Sequence, residues 1–181
     1  MRRIPHLLTL LRVALSPVLV WLIVQSSFET ALRIVVLAGV TDWLDGYAAR
    51  KLGVMGKLGA ILDPMADKLM LVTLFFALAY VRLIPLWLLV LVMGRDVVIV
   101  TGALLVRIFR NIRKFAPSMI GKVSTFFQIV FVLLVLLYAA VPFGFFHLLE
   151  ILALILTTLF TTWSGAGYIR LGIRMARRQV V

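Results

Sequence analysis

Four aspartates between positions 42 and 67 are the residues of this chain best suited to chemistry. Asp42 and Asp45 are three positions apart and Asp63 and Asp67 are four apart, so each pair shares one face of a helix. Carboxylate oxygens suit hard cations such as Mg²⁺, Mn²⁺ or Ca²⁺. Four carboxylates exceed what a single Mg²⁺ usually takes, and paired metals commonly promote displacement at phosphorus. A two-metal site is therefore one interpretation of this spacing.

Three other interpretations of these carboxylates stay open at this point. Asp63 before Pro64 fits a helix N-cap followed by proline at the first helical position. Arg50 and Lys51 follow the first pair of aspartates and are candidate ion-pair partners for it. Carboxylates within membrane segments also line ion or proton pathways. Spacing alone does not decide between a metal site, an ion pathway and structural pairing.

The elements that position these residues are apolar helices. Hydrophobic residues make up 64% of the 181 residues, charged residues 14%, and the mean hydropathy is +1.14. A run of about 20 apolar residues is long enough to cross a bilayer as a helix. Six such runs are present, at about 7–24, 30–49, 60–81, 85–109, 118–140 and 146–169. We therefore predict an all-α, polytopic integral membrane protein with six transmembrane helices, which forms a single domain over residues 1–181.

Basic residues concentrate at alternate ends of these runs. Arg2 and Arg3 precede the first run, basic clusters follow the second and the fourth, and four arginines lie after the sixth. The remaining connections hold few basic residues. This alternation follows the positive-inside rule and predicts that both termini lie in the cytoplasm. It also accounts for the net charge of +12, so we expect membrane lipids and no nucleic acid as partners.

The first apolar run contains an internal arginine. Arg12 interrupts it, which favours a retained helix over a cleaved signal peptide. We expect Arg12 to reach lipid headgroups together with Arg2, Arg3 and His6. The chain has no cysteine, which excludes disulfides and thiolate metal sites.

The carboxylates are too costly to lie unpaired at the centre of a membrane. A charged side chain there costs roughly 2.5–3.5 kcal/mol on insertion scales, and the basic loop Arg50–Lys57 places both pairs near the cytoplasmic surface. We expect the pairs to face each other across one cleft. A transport path would continue polar residues through the membrane, but the last two runs have few beyond Ser124, Thr125, Gln128 and the threonines of 157–162. An enzyme is therefore favoured over an ion or proton transporter.

At every fixed position of its signature, the chain resembles the CDP-alcohol phosphotransferase (phosphatidyltransferase) family. The matching run is Asp42-x2-Asp45-Gly46-x2-Ala49-Arg50-x8-Gly59-x3-Asp63-x3-Asp67. The resemblance implies a six-helix membrane enzyme that transfers a phosphatidyl group from a CDP-linked lipid to an alcohol and releases CMP. It further implies a homodimer in a bacterial cell membrane, with the active site facing the cytoplasm.

The resemblance also implies roles for individual residues. Two divalent cations, Mg²⁺ or Mn²⁺, are expected to bridge the diphosphate of CDP-diacylglycerol on four ligands, namely Asp42, Asp45, Asp63 and Asp67. Asp67 is in addition the expected general base for the acceptor hydroxyl. Gly46 and Arg50 are expected to contact the CDP moiety. Some family members have serine or threonine near position 56, where this chain has Gly56, so we do not expect that nucleotide contact.

The acceptor alcohol has to be inferred from the fourth and fifth runs. Arg95 followed by Asp96, then Arg107 and Lys122, is similar to the family branch that uses phosphatidylglycerol and forms cardiolipin. The branch that uses glycerol 3-phosphate typically has Arg-Glu at this place and a further arginine two turns on, where this chain has Ala103. We therefore expect Arg95, Arg107 and Lys122 to bind substrate and phosphatidylglycerol to be the acceptor, with glycerol 3-phosphate as the alternative.

Adjacent residues of a helix point about 100° apart. Arg95 and Asp96 are therefore expected to be poor partners for each other. An alternative to substrate binding pairs Asp96 with Lys68, and Arg95 with one of the four aspartates.

Overall fold

The computed structural model describes residues 4–52, 59–110 and 119–177, which form six α-helices. Their bounds are α1 Ile4–Val24, α2 Phe28–Leu52, α3 Gly59–Tyr80, α4 Leu86–Arg110, α5 Met119–Ala140 and α6 Gly144–Arg177. The six predicted helices are confirmed, and most ends agree within three residues. The exception is α6, which continues eight residues past the apolar run that ends at 169. Arginine and methionine in this extension are good helix formers, so the helix does not end where the apolar pattern does.

Two helices, α1 and α3, each end in the same type of hydrogen-bonded turn. Ser26 follows α1 with a φ of 57°, and Arg82 follows α3 with a φ of 61°. After α1, the N–H of Ser27 donates to the carbonyl of Leu22 at 2.9 Å, and the N–H of Ser26 donates to the carbonyl of Ile23, the residue that follows Leu22. The same two bonds close α3. This is the Schellman arrangement, which satisfies the last carbonyls of a helix and reverses the chain within a few residues.

The chain divides into two compact units. The first comprises Met1–Ile84 and Val132–His147. Within it α1 packs against both α3 and α2, and Tyr138 stacks on His147 with ring centroids 4.8 Å apart. The core of this unit is aliphatic and aromatic, with fully buried Leu19, Ile23, Phe75, Leu78 and Leu136. This packing brings faces of α2 and α3 together on α1.

The second unit comprises Pro85–Phe131 and Leu148–Val181. In it α5 and α6 meet along a polar seam of four fully buried residues, namely Ser124, Gln128, Thr157 and Thr161. Thr161 lies 3.2 Å from the hydroxyl of Ser124 and 3.3 Å from Nε2 of Gln128, while Thr157 donates to the carbonyl of Phe127 at 3.0 Å. These bonds satisfy most of the polar groups of the seam, which would be costly to leave unpaired in an apolar interior. Oε1 of Gln128 has no hydrogen-bond partner among the described residues.

Two of the described helices are long and apolar enough to cross a membrane. They are Met119–Ala140, with a mean hydropathy of 2.3, and Gly144–Arg170, with 1.8. Large apolar side chains also lie exposed on the other helices, for example Trp21 on α1, Leu37 on α2 and Trp87 on α4. Such exposure exceeds the scattered apolar residues that are normal on soluble proteins.

The polar seam gives a prediction for stability. Thr161→Val keeps the shape of the side chain but removes the hydroxyl that Ser124 and Gln128 contact. We expect the free energy of unfolding to fall by about 1 kcal/mol, measured by SDS titration in mild detergent. Thr162→Val is the matched control, because Thr162 is exposed and bonds only to carbonyls of its own helix. Equal effects of the two variants would contradict a stabilising seam.

Candidate active site

The first unit brings a carboxylate of α2 and a carboxylate of α3 to one arginine of α1. Nη2 of Arg12 contacts Oδ1 of Asp42, and Nη1 of Arg12 contacts Oδ1 of Asp67. The arginine side chain is 7% exposed, whereas the aspartates are 43% and 52% exposed. We call these three residues the carboxylate site. Its cation is buried and its two anions remain accessible.

The position of the arginine follows from the packing of α1. Because α1 contacts both α2 and α3, a side chain on its buried face can reach both helices at once. The hydroxyl of buried Ser16 donates to the carbonyl of Arg12 at 3.0 Å. Pro17 lies next to it inside the helix and removes one backbone donor there. The serine bond therefore adds support to the backbone just before the proline.

The expectation that Arg12 reaches lipid headgroups is wrong. Its guanidinium is buried against two carboxylates, because an arginine in an apolar helix gains more from paired anions than from a distant surface. The sequence indicated that Arg12 is paired, because an ionisable residue inside an apolar run needs a partner. The partner of Asp42 in the structure is Arg12, while the side chains of Arg50 and Lys51 lie outside the described residues.

Several other predicted site residues are placed by their backbone only. Asp45, Gly46 and Arg50 are on α2, Asp63 on α3 and Arg107 on α4, and their side chains lie outside the described part of the chain. Because α3 begins at Gly59, Asp63 lies inside the helix, and its interpretation as an N-cap is wrong. Each of these aspartates is within one turn of a member of the carboxylate site.

The carboxylate site has the chemistry of a divalent-cation site. Asp42 and Asp67 lie on two helices and contact the two terminal nitrogens of a single guanidinium, so their carboxylates are close together. Carboxylate oxygens are hard ligands. Mg²⁺ and Mn²⁺ favour such ligands. Among the side chains that the structure describes, these are the two acidic residues that converge, and no cluster of three possible ligands occurs there.

A second buried arginine organises the other unit. Arg95 is 8% exposed, and its Nη1 donates to Oδ1 of Asp96 at 2.9 Å. Its Nη2 donates to the carbonyl of Gly121 at 3.0 Å, and both Nε and Nη2 lie 3.2 Å from Oγ of Ser164. The expectation that Arg95 and Asp96 are poor partners is wrong. The long arginine stem lets the guanidinium turn back toward the neighbouring carboxylate, although the two Cα–Cβ bonds diverge.

Arg95 lines a cavity of about 450 Å³ in this unit, which we call the arginine pocket. Lys122 also lines it, so two of the predicted substrate-binding residues share one pocket. Its wall is otherwise largely apolar, and the remaining lining residues are Ile99, Gly121, Thr125, Phe126, Ile129 and Tyr168. A pocket with cationic groups beside apolar walls suits a ligand that has both an anionic and an apolar part.

Sequence reasoning did not find Ser164 or Gly121. Both hold the guanidinium of Arg95 with neutral oxygen atoms, and neither has a charge or motif to mark it. Ser164 begins the small-residue run Ser-Gly-Ala-Gly on α6, and small residues allow close approach of helices. That run is the signal that could have indicated a contact with a long side chain.

The fold and these two sites define a class: an all-helical protein in which carboxylates of two helices meet at one buried arginine, and in which a second buried arginine lines a pocket together with a lysine. The model of the CDP-alcohol phosphatidyltransferase family matches residues 2–163. The chain belongs to this family, as the four-aspartate signature predicts.

Curated relatives carry two activities. The chain is 35% identical over 179 residues to cardiolipin synthase (CMP-forming) of Rattus norvegicus, which covers 90% of this chain and 59% of that protein. It is 33% identical over 179 residues to CDP-diacylglycerol–glycerol-3-phosphate 3-phosphatidyltransferase of Aquifex aeolicus, covering 95% and 97%. The Bacillus subtilis protein of the same name is 32% identical over 188 residues, covering 93% and 94%. The chain thus spans only about three fifths of the length of the cardiolipin synthase.

Two ion pairs that differ in burial, Arg95–Asp96 and Arg33–Glu29, give a prediction for stability. Asp96→Ala removes the carboxylate from a pair whose side chains are 7% and 14% exposed, and it leaves Arg95 buried with fewer partners. We expect a loss of about 3 kcal/mol in the free energy of unfolding. Glu29→Ala breaks a pair with Arg33 whose side chains are 66% and 70% exposed, and it should cost less than about 1 kcal/mol. Chemical unfolding of both variants in detergent tests this, and a loss below about 1 kcal/mol for Asp96→Ala would contradict it.

Proposed function

We propose that the protein transfers a phosphatidyl group from CDP-diacylglycerol to a glycerol hydroxyl of phosphatidylglycerol, giving cardiolipin and CMP. Membership of the family supports the donor chemistry. The similarity to a CMP-forming cardiolipin synthase supports the acceptor. The single structural observation that favours a lipid acceptor is the arginine pocket, in which Arg95 and Lys122 lie beside apolar walls.

The pocket supports a lipid for reasons of size and chemistry. Its volume of about 450 Å³ falls within the range of pockets that enclose drug-sized ligands. Arg95 and Lys122 provide cationic donors for the phosphate of the acceptor. Ile99, Phe126 and Ile129 offer apolar surface that a small, doubly charged acceptor would not use. Phe126 and Ile129 are 60% and 46% exposed, so this surface continues to the outside of the helices.

Glycerol 3-phosphate is the alternative acceptor, which would make the protein a phosphatidylglycerophosphate synthase. Its support is the near full-length match to the glycerol-3-phosphate transferases of Aquifex aeolicus and Bacillus subtilis. A small acceptor would also find the two cations of the arginine pocket. Nothing favours an ion or proton transporter, because the family and the curated relatives are phosphatidyltransferases and cardiolipin synthases.

For the donor side, we assign two divalent cations, Mg²⁺ or Mn²⁺, to four ligands, namely Asp42, Asp45, Asp63 and Asp67. Bound cations would neutralise the diphosphate and make the acceptor hydroxyl more acidic. Asp67 accepts the proton of that hydroxyl, whose oxygen forms a bond to the β-phosphorus as the bond to CMP breaks. Gly46 allows close approach of the CDP moiety, and Arg50 binds its phosphate. Arg107 is a further substrate-binding residue on this proposal.

The proposed setting is a bacterial cell membrane that all six helices cross, with both termini and the active site on the cytoplasmic side. Each described helix has at least 21 residues, and about 20 suffice to span the hydrocarbon core. The basic residues at alternate helix ends support the orientation. The family resemblance further suggests a homodimer.

Purified protein in detergent with Mn²⁺ and labelled CDP-diacylglycerol tests the acceptor. Phosphatidylglycerol and glycerol 3-phosphate are offered in separate reactions, and both CMP and the lipid product are measured. Labelled cardiolipin from phosphatidylglycerol is the expected result. Product from glycerol 3-phosphate alone would replace the proposed acceptor by the alternative, and CMP from neither would leave the donor chemistry without an identified acceptor.

The same assay tests the arginine pocket through Lys122→Met, which keeps the length of the side chain and removes its charge. We expect the KM for the anionic acceptor to rise about tenfold with kcat little changed, because a charge-assisted contact is lost. The KM for CDP-diacylglycerol should not move. Arg33→Gln is the control for loss of one positive charge, since Arg33 is exposed and paired with Glu29. A uniform change in both KM values would argue against an acceptor pocket.

The role of Asp67 has its own test. Asp67→Asn keeps the shape of the side chain but removes its basicity and one negative charge. We expect turnover to fall at least about a hundredfold, since general base catalysis commonly contributes that much. The thermal unfolding of the variant confirms that it is folded. Normal turnover by folded Asp67→Asn would remove Asp67 from the mechanism.

A further inference from the structure

We propose that Arg12 is the built-in counter-ion of the carboxylate site. It holds Asp42 and Asp67 together when no divalent cation is bound, and a divalent cation displaces it from them. Arg12 is therefore a positioning residue whose guanidinium and the metal exchange for the same oxygen atoms. This inference rests on the metal binding included in the proposed function.

The contacts already made by Arg12 support the exchange. Its two terminal nitrogens contact one oxygen of Asp42 and one of Asp67, which are two of the proposed metal ligands. A single guanidinium neutralises only half of the charge of two carboxylates. Without it, the two anions, one on α2 and one on α3, would repel each other. A divalent cation carries twice the charge of the guanidinium and attracts the same carboxylates more strongly, so the site has a reason to prefer the metal when it is present.

The difference in exposure distinguishes this arrangement from a purely structural ion pair. A purely structural buried pair offsets its desolvation cost only when the charged groups of both partners are fully hydrogen-bonded within the protein. Here the arginine is 7% exposed, but the carboxylates are 43% and 52% exposed. Because about half of each aspartate side chain is exposed, a cation from outside can approach these carboxylates although the guanidinium is buried.

Arg12→Gln should lower the stability of the metal-free protein and raise its affinity for Mn²⁺. Without metal, the variant loses the bridge between Asp42 and Asp67, so its melting temperature in EDTA should fall by about 5 °C or more. With metal, no guanidinium competes for the oxygens, so the Kd for Mn²⁺ should fall roughly tenfold. Mn²⁺ should consequently raise the melting temperature of the variant more than that of the wild type.

The experiment uses the full chain in detergent without any substrate. Free Mn²⁺ is measured by electron paramagnetic resonance during titration, and unfolding is followed by fluorescence of the four tryptophans with EDTA or with Mn²⁺. Arg33→Gln is the matched control, since it removes the same charge from an exposed pair on α2. Neither its Mn²⁺ affinity nor its response to EDTA should differ from the wild type.

The possible results separate this inference from the proposed function. Tighter Mn²⁺ binding together with a lower melting temperature in EDTA supports the exchange. Equal or weaker Mn²⁺ binding by Arg12→Gln overturns it, even if the enzyme assay succeeds. Absence of Mn²⁺ binding by the wild type overturns both the exchange and the proposed metal site. Failure of the enzyme assay with the Mn²⁺ results as expected would overturn the proposed reaction alone.

Arg12→Lys keeps the test decisive if Arg12→Gln does not fold. Lysine retains the charge but is a single point donor, so it lacks the planar fork that reaches both carboxylates. We expect Arg12→Lys to bind Mn²⁺ more tightly than the wild type and less tightly than the glutamine variant. Unchanged or weaker binding by the lysine variant would overturn the exchange.

Discussion

The contact of one buried guanidinium with two carboxylates is the constraint on which the first unit depends. Arg12, Asp42 and Asp67 come from three different helices, each apolar over most of its length. A lone charge in such surroundings is costly, and the cost falls only when opposite charges meet. α1 must therefore pack against both α2 and α3 at the level of these residues. This requirement adds a directional contact to the apolar packing of the helices, because a guanidinium pairs with carboxylates in a defined geometry.

The second unit meets the same problem with a different set of partners. Arg95 is buried, but most of its hydrogen bonds go to neutral oxygens of Ser164 and Gly121, with Asp96 as its carboxylate. Its guanidinium is held by three points on different turns and helices, which fixes its plane at the wall of the arginine pocket. Arginine is suited to this use because its donors are rigidly arranged and it stays charged. A lysine could provide the charge without the fixed orientation.

The positions of the helices were largely predictable, and the partners of the charged residues were not. Apolar runs of about 20 residues and the polar breaks between them give helix number and bounds, since both are local properties. Arg12 was assigned to the surface, and Arg95 and Asp96 were expected to be poor partners, because sequence shows that a charge needs compensation but not which residue supplies it. Asp63 was compatible with an N-cap until the start of α3 at Gly59 was known. These errors concern side-chain partners, which depend on packing.

The sequence by itself determined the helical class, the family and the pairs of aspartates on shared helix faces. Those properties depend on composition and on spacings of three or four residues, which a helix translates directly into geometry. Only the tertiary structure decided that Asp42 and Asp67 meet at Arg12, and that Arg95 and Lys122 line one pocket. In each case the residues are far apart in the chain, up to 55 positions for Arg12 and Asp67. Their meeting depends on which helix faces pack together, because a spacing of a few residues fixes direction around one helix and carries no information about its neighbours.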